Sequence, residues 1–145
     1  MSLHGQYDEQ NIFAKILRGE LPCIKVYEDE HTIAFMDIMP QADGHVLVLP
    51  KEGAALLFDL SDEAASAAIR TTRKLARAVR AAFAPPGIAV FQLNGSAAGQ
   101  TVPHVHFHVL PRYSDTPLQP HARVQADTDK LKAHAEKIIA ALQAD

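Results

Sequence analysis

Pro103-His104-Val105-His106-Phe107-His108-Val109-Leu110-Pro111-Arg112 alternates imidazole with hydrocarbon at a period of two. Side chains on an extended strand point to opposite faces in turn, so this pattern predicts a strand from His104 to Leu110, closed by Pro111. His104, His106 and His108 then share one face, and Val105, Phe107 and Val109 share the other. The apolar set is expected to pack onto the core. The imidazoles are expected to line an exposed or cleft-facing row, neighbours about 6.6 Å apart along the chain. Three histidines pack no better there than Thr or Val would, so the row points to chemistry rather than to packing.

Working outward, the small-residue run Asn94-Gly95-Ser96-Ala97-Ala98-Gly99-Gln100-Thr101 reads as a loop feeding the row, and Ile88 to Leu93 reads as the strand before it. Ser61-Asp62-Glu63 opens a long helix whose apolar spacing uses Ala65, Ala68, Ile69, Leu75, Ala76, Val79 and Phe83, ending at Pro85-Pro86-Gly87. Its basic residues Arg70, Arg73, Lys74, Arg77 and Arg80 recur every three or four positions and read as a solvent face. Further upstream, His45 to Leu49 is an apolar strand closed by Pro50. Ile24 to Glu28 and Thr32 to Met36 form a hairpin about Asp29-Glu30-His31. Asn11 can cap a short helix from Ile12 to Arg18, stopped by Gly19 and Pro22. Residues 1–10 are expected to be a loose lead-in, 114–126 irregular, and Asp129 to Leu142 a last helix burying Leu131, Ala135, Ile138, Ile139 and Leu142. Strands in groups with helices between the groups predict one α+β domain with an antiparallel sheet.

Composition narrows the function classes. The chain has 145 residues, 48% of them hydrophobic and 21% charged, which suits one globular domain and excludes global disorder. Fourteen basic and 17 acidic residues leave a net charge of −3, so no nucleic-acid partner is expected. No apolar run approaches the length of a membrane span and no secretory leader is visible, so no membrane partner is expected either. The lone Cys23 forbids an internal disulfide and fits a reducing, cytoplasmic setting.

Two chemistries fit the histidine row. Neutral imidazole is a common metal ligand, and His45 could join part of the row around one ion. A straight strand, however, separates the first and third histidines by about 13 Å, too far for a single zinc. Alternatively, imidazole is a nucleophile whose pKa lies near working pH and which can leave again from phosphorus. The middle residue, His106, is then the natural nucleophile. The Gly/Ser/Ala loop supports that reading, because such residues let backbone N–H groups turn toward an anion, with the Gln100 amide and Thr101 hydroxyl as added donors.

The run Gly99-Gln100-Thr101-Val102-Pro103-His104-Val105-His106-Phe107-His108-Val109-Leu110-Pro111-Arg112 resembles the signature of the histidine triad (HIT) family. The resemblance extends to Asn11–Pro22, Ala34–Ile38 and Gly44–Val48. It implies a five-stranded antiparallel sheet with helices, paired as a homodimer. It also implies a nucleotide hydrolase or nucleotidyl transferase that cleaves a purine nucleoside 5′-phosphate from its leaving group through a nucleotidyl-histidine, with no cofactor and no metal in the chemical step. By matching position, His106 is the implied nucleophile, His108 binds the phosphate under attack, and His104 and His45 form a supporting relay. Asp37 is implied to hold the ribose hydroxyls. Ile12, Phe13, Ile16, Phe35 and Ile38 would form the base pocket, and Gly99, Gln100 and Thr101 would touch the α-phosphate.

Departures from the family pattern sharpen these expectations. Asn11 and Ala14 stand where many members place zinc-binding cysteines, so no such zinc is expected and Cys23 is expected to be a small buried residue. Leu93 stands where many members place a phosphate-binding amide; Asn94 beside it is the substrate-binding candidate, although it would point to the opposite face of a continuing strand. Pro111-Arg112 resembles the branch acting on dinucleoside polyphosphates more than the phosphoramidase branch. The rival expectations are a metal-dependent hydrolase built on His45 and the row, and a nucleotide-binding regulatory module with vestigial turnover.

Overall fold

The computed structural model describes residues 2–115, 117 and 124–145. A short helix α1 (Ile12–Leu17) precedes strands β1 (Lys25–Glu28), β2 (Thr32–Met36) and β3 (Val46–Pro50). The long helix α2 (Asp62–Phe83) leads to β4 (Gly87–Gln92), β5 (Phe107–Arg112) and a last helix α3 (Thr128–Ala144). All strand pairs are antiparallel, in the order β1-β2-β3-β5-β4, so β5 is inserted between β3 and β4. The α+β expectation and its five strands are met.

Local chemistry sets these elements. The side chains of Asn11 and Ser61 accept the backbone N–H of Ala14 and Ala64, capping α1 and α2 at their first free donors. Asp29 Oδ1 accepts from the N–H groups of His31 and Thr32, which fixes the β1–β2 turn. β2 and β3 are buried at every position because both faces of the sheet are covered. On one face Ala34, Met36, Val46, Val48, Val105, Phe107 and Val109 meet α2 and α3. On the other, Ile33, Phe35, Leu47 and Leu49 pack with Phe13 of α1, and Ile16 and a half-buried Cys23 close the margin.

Several expectations are corrected. β5 begins only at Phe107, because the N–H of His104 bonds to Val102 O and that of Val105 to Ala54 O, so neither enters the ladder. The strand also runs through Pro111 to Arg112. The α2 face turned inward is Ala64, Ala67, Ala68, Thr71, Thr72, Leu75, Ala78 and Val79, while Ile69 faces solvent. Its buried threonines are satisfied, Thr71 by Thr32 Oγ1 at 2.8 Å and Thr72 by Ala68 O. The five basic residues of α2 do lie on its solvent face. β4 stops at Gln92, before Leu93. The lead-in is not loose throughout, since Tyr7 docks against His104. The expectation for 114–126 falls largely outside the described residues.

Candidate active site

The register of the sheet assembles the site. Leu47 and Phe91 lie opposite His108 on the two strands flanking β5, so all three face the α1 side. The β2–β3 ladder continues one step past Met36↔Val46, with Asp37 N–H bonded to His45 O at 3.1 Å. That step places Asp37 beside His45 and brings both to the edge of His108. Gly44, at φ +90, turns the chain into β3, and a Cβ there would lie 2.9 Å from the Phe83 ring. Only glycine fits that approach.

Backbone groups fix the tautomer of each imidazole. His106 Nδ1 lies 2.7 Å from His104 O, an obligate acceptor, so Nδ1 carries the proton and Nε2 holds the lone pair. Nε2 has no hydrogen-bond partner among the described residues. Gln41 N–H donates to His45 Nδ1, so His45 Nε2–H donates to His108 Nδ1 at 3.0 Å. His108 therefore carries its proton on Nε2. His104 Nε2–H donates to Pro50 O at 2.8 Å, and its Nδ1 accepts from the Tyr7 hydroxyl at 2.7 Å. The expected relay thus splits into two parts: His45 supports His108 by its ring, whereas His104 supports His106 by its backbone carbonyl.

The row is not an exposed one. His104 is fully buried and His106 retains 6% of its surface, its ring edge-on to Phe13 at 5.0 Å and tilted to His108 at 5.0 Å. His106 and His108 thus converge at their rings, while the backbone ahead of β5 leaves the ladder at His104 and Val105. His108 stacks on Phe91 at 4.3 Å. Burial holds every ring below the ordinary histidine range, His45 at about 4 and His108 at about 3, so all stay neutral at pH 7. Burial also lifts the Asp37 carboxyl to about 6 against one hydrogen bond from Met39 N–H. The 3.6 Å approach of Asp37 to His45 is therefore not an ion pair at neutral pH. Among the described residues, Asp37, His45 and His108 form the one group whose ligand atoms, within 4.8 Å of one another, could hold a metal ion.

The other expected contacts are redistributed. Phe13 and Phe35 lie in the core, edge-to-face at 5.5 Å, and Ile16 is partly buried beside them. Ile12 and Ile38 instead leave 51% and 46% of their surface exposed. Gln100 is a buried staple and not a donor for phosphate: Oε1 accepts from Gly95 N–H, and Nε2 donates to Ala55 O and Val102 O. Asn94 is likewise engaged, with Leu57 N–H and the Gln92 amide. The N–H groups of Gly95, Ala98, Gly99 and Gln100 bond within the loop, which corrects the anion-cradle expectation for those amides. Thr101 is exposed, and Leu93 packs where a Cβ on Gly99 would touch it. Sequence reasoning missed Tyr7, Gln41 and Phe91. The alternation of β4 against β5 could have found Phe91; no local signal marks the other two.

A family model for the HIT domain matches residues 18–115. The protein Hit of Bacillus subtilis is 45% identical over 72% of this chain and 72% of its own. An adenosine 5′-monophosphoramidase, hnt1 of Schizosaccharomyces pombe, is 43% identical over 70% of this chain and 73% of its own. A crystal structure of a Hit-like protein involved in cell-cycle regulation from Bartonella henselae, with an unknown ligand, superposes with a TM-score of 0.89. It is 46% identical and covers 94% of this chain and 99% of that one.

Proposed function

From the premise that this chain belongs to the histidine triad (HIT) family, we propose that it hydrolyses purine nucleoside 5′-phosphoramidates through a nucleotidyl-His106 intermediate. One observation carries the mechanism: the His104 carbonyl holds the proton on His106 Nδ1, leaving Nε2 as a neutral nucleophile. Nε2 bonds to the α-phosphorus as the bond to the leaving nitrogen breaks, and that nitrogen takes a proton from solvent. The imidazolium so formed keeps its Nδ1–H on the His104 carbonyl, a bond that strengthens as the ring becomes charged. His108 Nε2–H, backed by His45, donates to a non-bridging phosphate oxygen. Water then attacks phosphorus, His106 leaves, and the nucleoside monophosphate departs with one proton released.

The choice of a phosphoramidate rests on the named activity of the fission-yeast relative, against the dinucleoside polyphosphate that Pro111-Arg112 suggests. Asp37 receives the ribose hydroxyls. Ile12 and Ile38 take the base, in keeping with their exposed apolar surface. Thr101, whose side chain is exposed, is the loop's candidate for phosphate contact. We further propose a homodimer, supported by β4, an edge strand carrying an exposed Val90. Light scattering at a dimer mass is the expected result. No helix among the described residues is long and apolar enough to cross a membrane; the proposed cytoplasmic setting rests on the lone Cys23, which suits a reducing compartment.

The test is turnover of adenosine 5′-phosphoramidate by wild-type and His106→Ala protein, with and without EDTA. Loss of turnover in the variant and indifference to EDTA are expected. A second reading, a metal-dependent hydrolase, is favoured by the Asp37–His45–His108 group. The hydrogen bonds already on both nitrogens of His45 and on His108 Nδ1 oppose it. Abolition of turnover by EDTA and its return with zinc would support that alternative.

A further inference from the structure

The peptide unit that joins His104 to Val105 is held on both of its polar groups. Its C=O accepts from His106 Nδ1–H at 2.7 Å, and its N–H donates to Ala54 O at 2.9 Å. Any tilt of that plane re-aims His106, since nothing else described holds Nδ1. The side chain of His104 is fully buried and is held at both ends, by Pro50 O on Nε2 and by the Tyr7 hydroxyl on Nδ1. Pro50 and Ala54 belong to one stretch of chain, and Gly53 lies between them. A Cβ on Gly53 would lie 2.9 Å from the Tyr7 ring and would push it off His104. Tyr7 also stands edge-on to His104, centroids 5.7 Å apart. Ring, hydroxyl and the missing Cβ therefore describe one built contact between the N-terminal segment and the histidine row.

We propose that Tyr7 is a positioning residue: its hydroxyl clamps His104 from the side opposite Pro50, and so fixes the carbonyl that orients His106. The inference rests on the role given above to His106. It assigns to the N-terminal segment a part in the reaction through the Tyr7–His104 contact alone. Because the Pro50 carbonyl already dictates the His104 tautomer, the Tyr7 hydroxyl is the donor, and removing it leaves a buried lone pair without a partner.

Tyr7→Phe in the full chain keeps the ring and deletes only the hydroxyl. The expected result is kcat lowered about three- to tenfold, the worth of one neutral hydrogen bond, with KM changed less than about twofold. The 15N resonance of His104 Nδ1 should move as its donor is lost. Gly53→Ala should lower kcat similarly by displacing the ring, and the double variant should be no worse than the poorer single one. An unchanged kcat in Tyr7→Phe overturns the proposal, as does an unmoved His104 resonance or a loss expressed in KM alone. Failure of the parent reading is distinguishable: it appears as turnover persisting in His106→Ala, whereas the His104 resonance needs no turnover to report on the clamp.

Discussion

Replacing Asp37 by Asn should stabilise the protein at neutral pH while weakening nucleotide binding. The side chain is only 20% exposed, and burial raises its carboxyl from the ordinary 3.8 to about 6 against a single backbone donor, Met39 N–H. The folded state therefore holds a proton that the unfolded chain has already lost between those values. Stability contributed by this group falls as pH rises from 3.8 through about 6, the reverse of a salt-bridged aspartate. The rise corresponds to about 3 kcal/mol of stability missing at pH 7, and to about half of that at pH 5. Asn retains an oxygen for Met39 N–H and cannot ionise, so the variant should recover much of that amount. Urea unfolding of both proteins between pH 5 and 8 measures it, with the gap between them widening as pH rises. A gap that is absent at pH 7, or that narrows with rising pH, refutes the reasoning. A buried carboxylate kept at such a cost is consistent with a role in ligand binding.

His45 and His108 act in the opposite sense. With folded-state values of about 4 and about 3, they take up protons on unfolding below about pH 6.5, so stability should fall from there toward pH 4. His108→Asn should flatten that limb of the urea midpoint against pH. Gln100→Leu should cost about 3 kcal/mol, about 1 for each of the three backbone groups left without the amide, and a shifted thermal midpoint checks it. Gly44→Ala forces a left-handed φ on a residue with a Cβ and crowds Phe83, so a loss of about 2 kcal/mol or more is expected in denaturant titration.

What the sequence disclosed was what local chemistry decides. The caps at Asn11 and Ser61, the Asp29 turn and the inward set Val105, Phe107 and Val109 all follow from side-chain type and period. The alternation at 104–108 did not reveal where β5 begins, because the N–H groups of His104 and Val105 find partners at Val102 and Ala54 instead of a neighbouring strand. In α2 an apolar residue, Ile69, sits off the inward face and leaves half of its surface exposed. Besides Leu75 and Val79, the buried stripe of the helix holds alanines and two threonines; Thr72 bonds locally to Ala68 O, but Thr71 is satisfied by Thr32, 39 residues away, a contact no window of sequence displays. The Gln100 amide has the donors a ligand contact needs, but its partners Gly95, Ala55 and Val102 are settled only by the fold. His45 meeting Asp37 was within reach, since a β2–β3 register continued by one residue pairs them. Tyr7 was not, lying 97 residues from His104 in a polar segment with no period.

The central claim is that His106 Nε2 bonds to phosphorus during turnover. Rapid quenching of the enzyme with adenosine 5′-phosphoramidate into base, followed by digestion and mass mapping, tests it most directly. The expected result is an acid-labile adenylyl group on the peptide carrying His106, absent from His106→Ala and present at the same level with EDTA. An adduct on any other residue, or rapid turnover by a protein that never carries one, contradicts it.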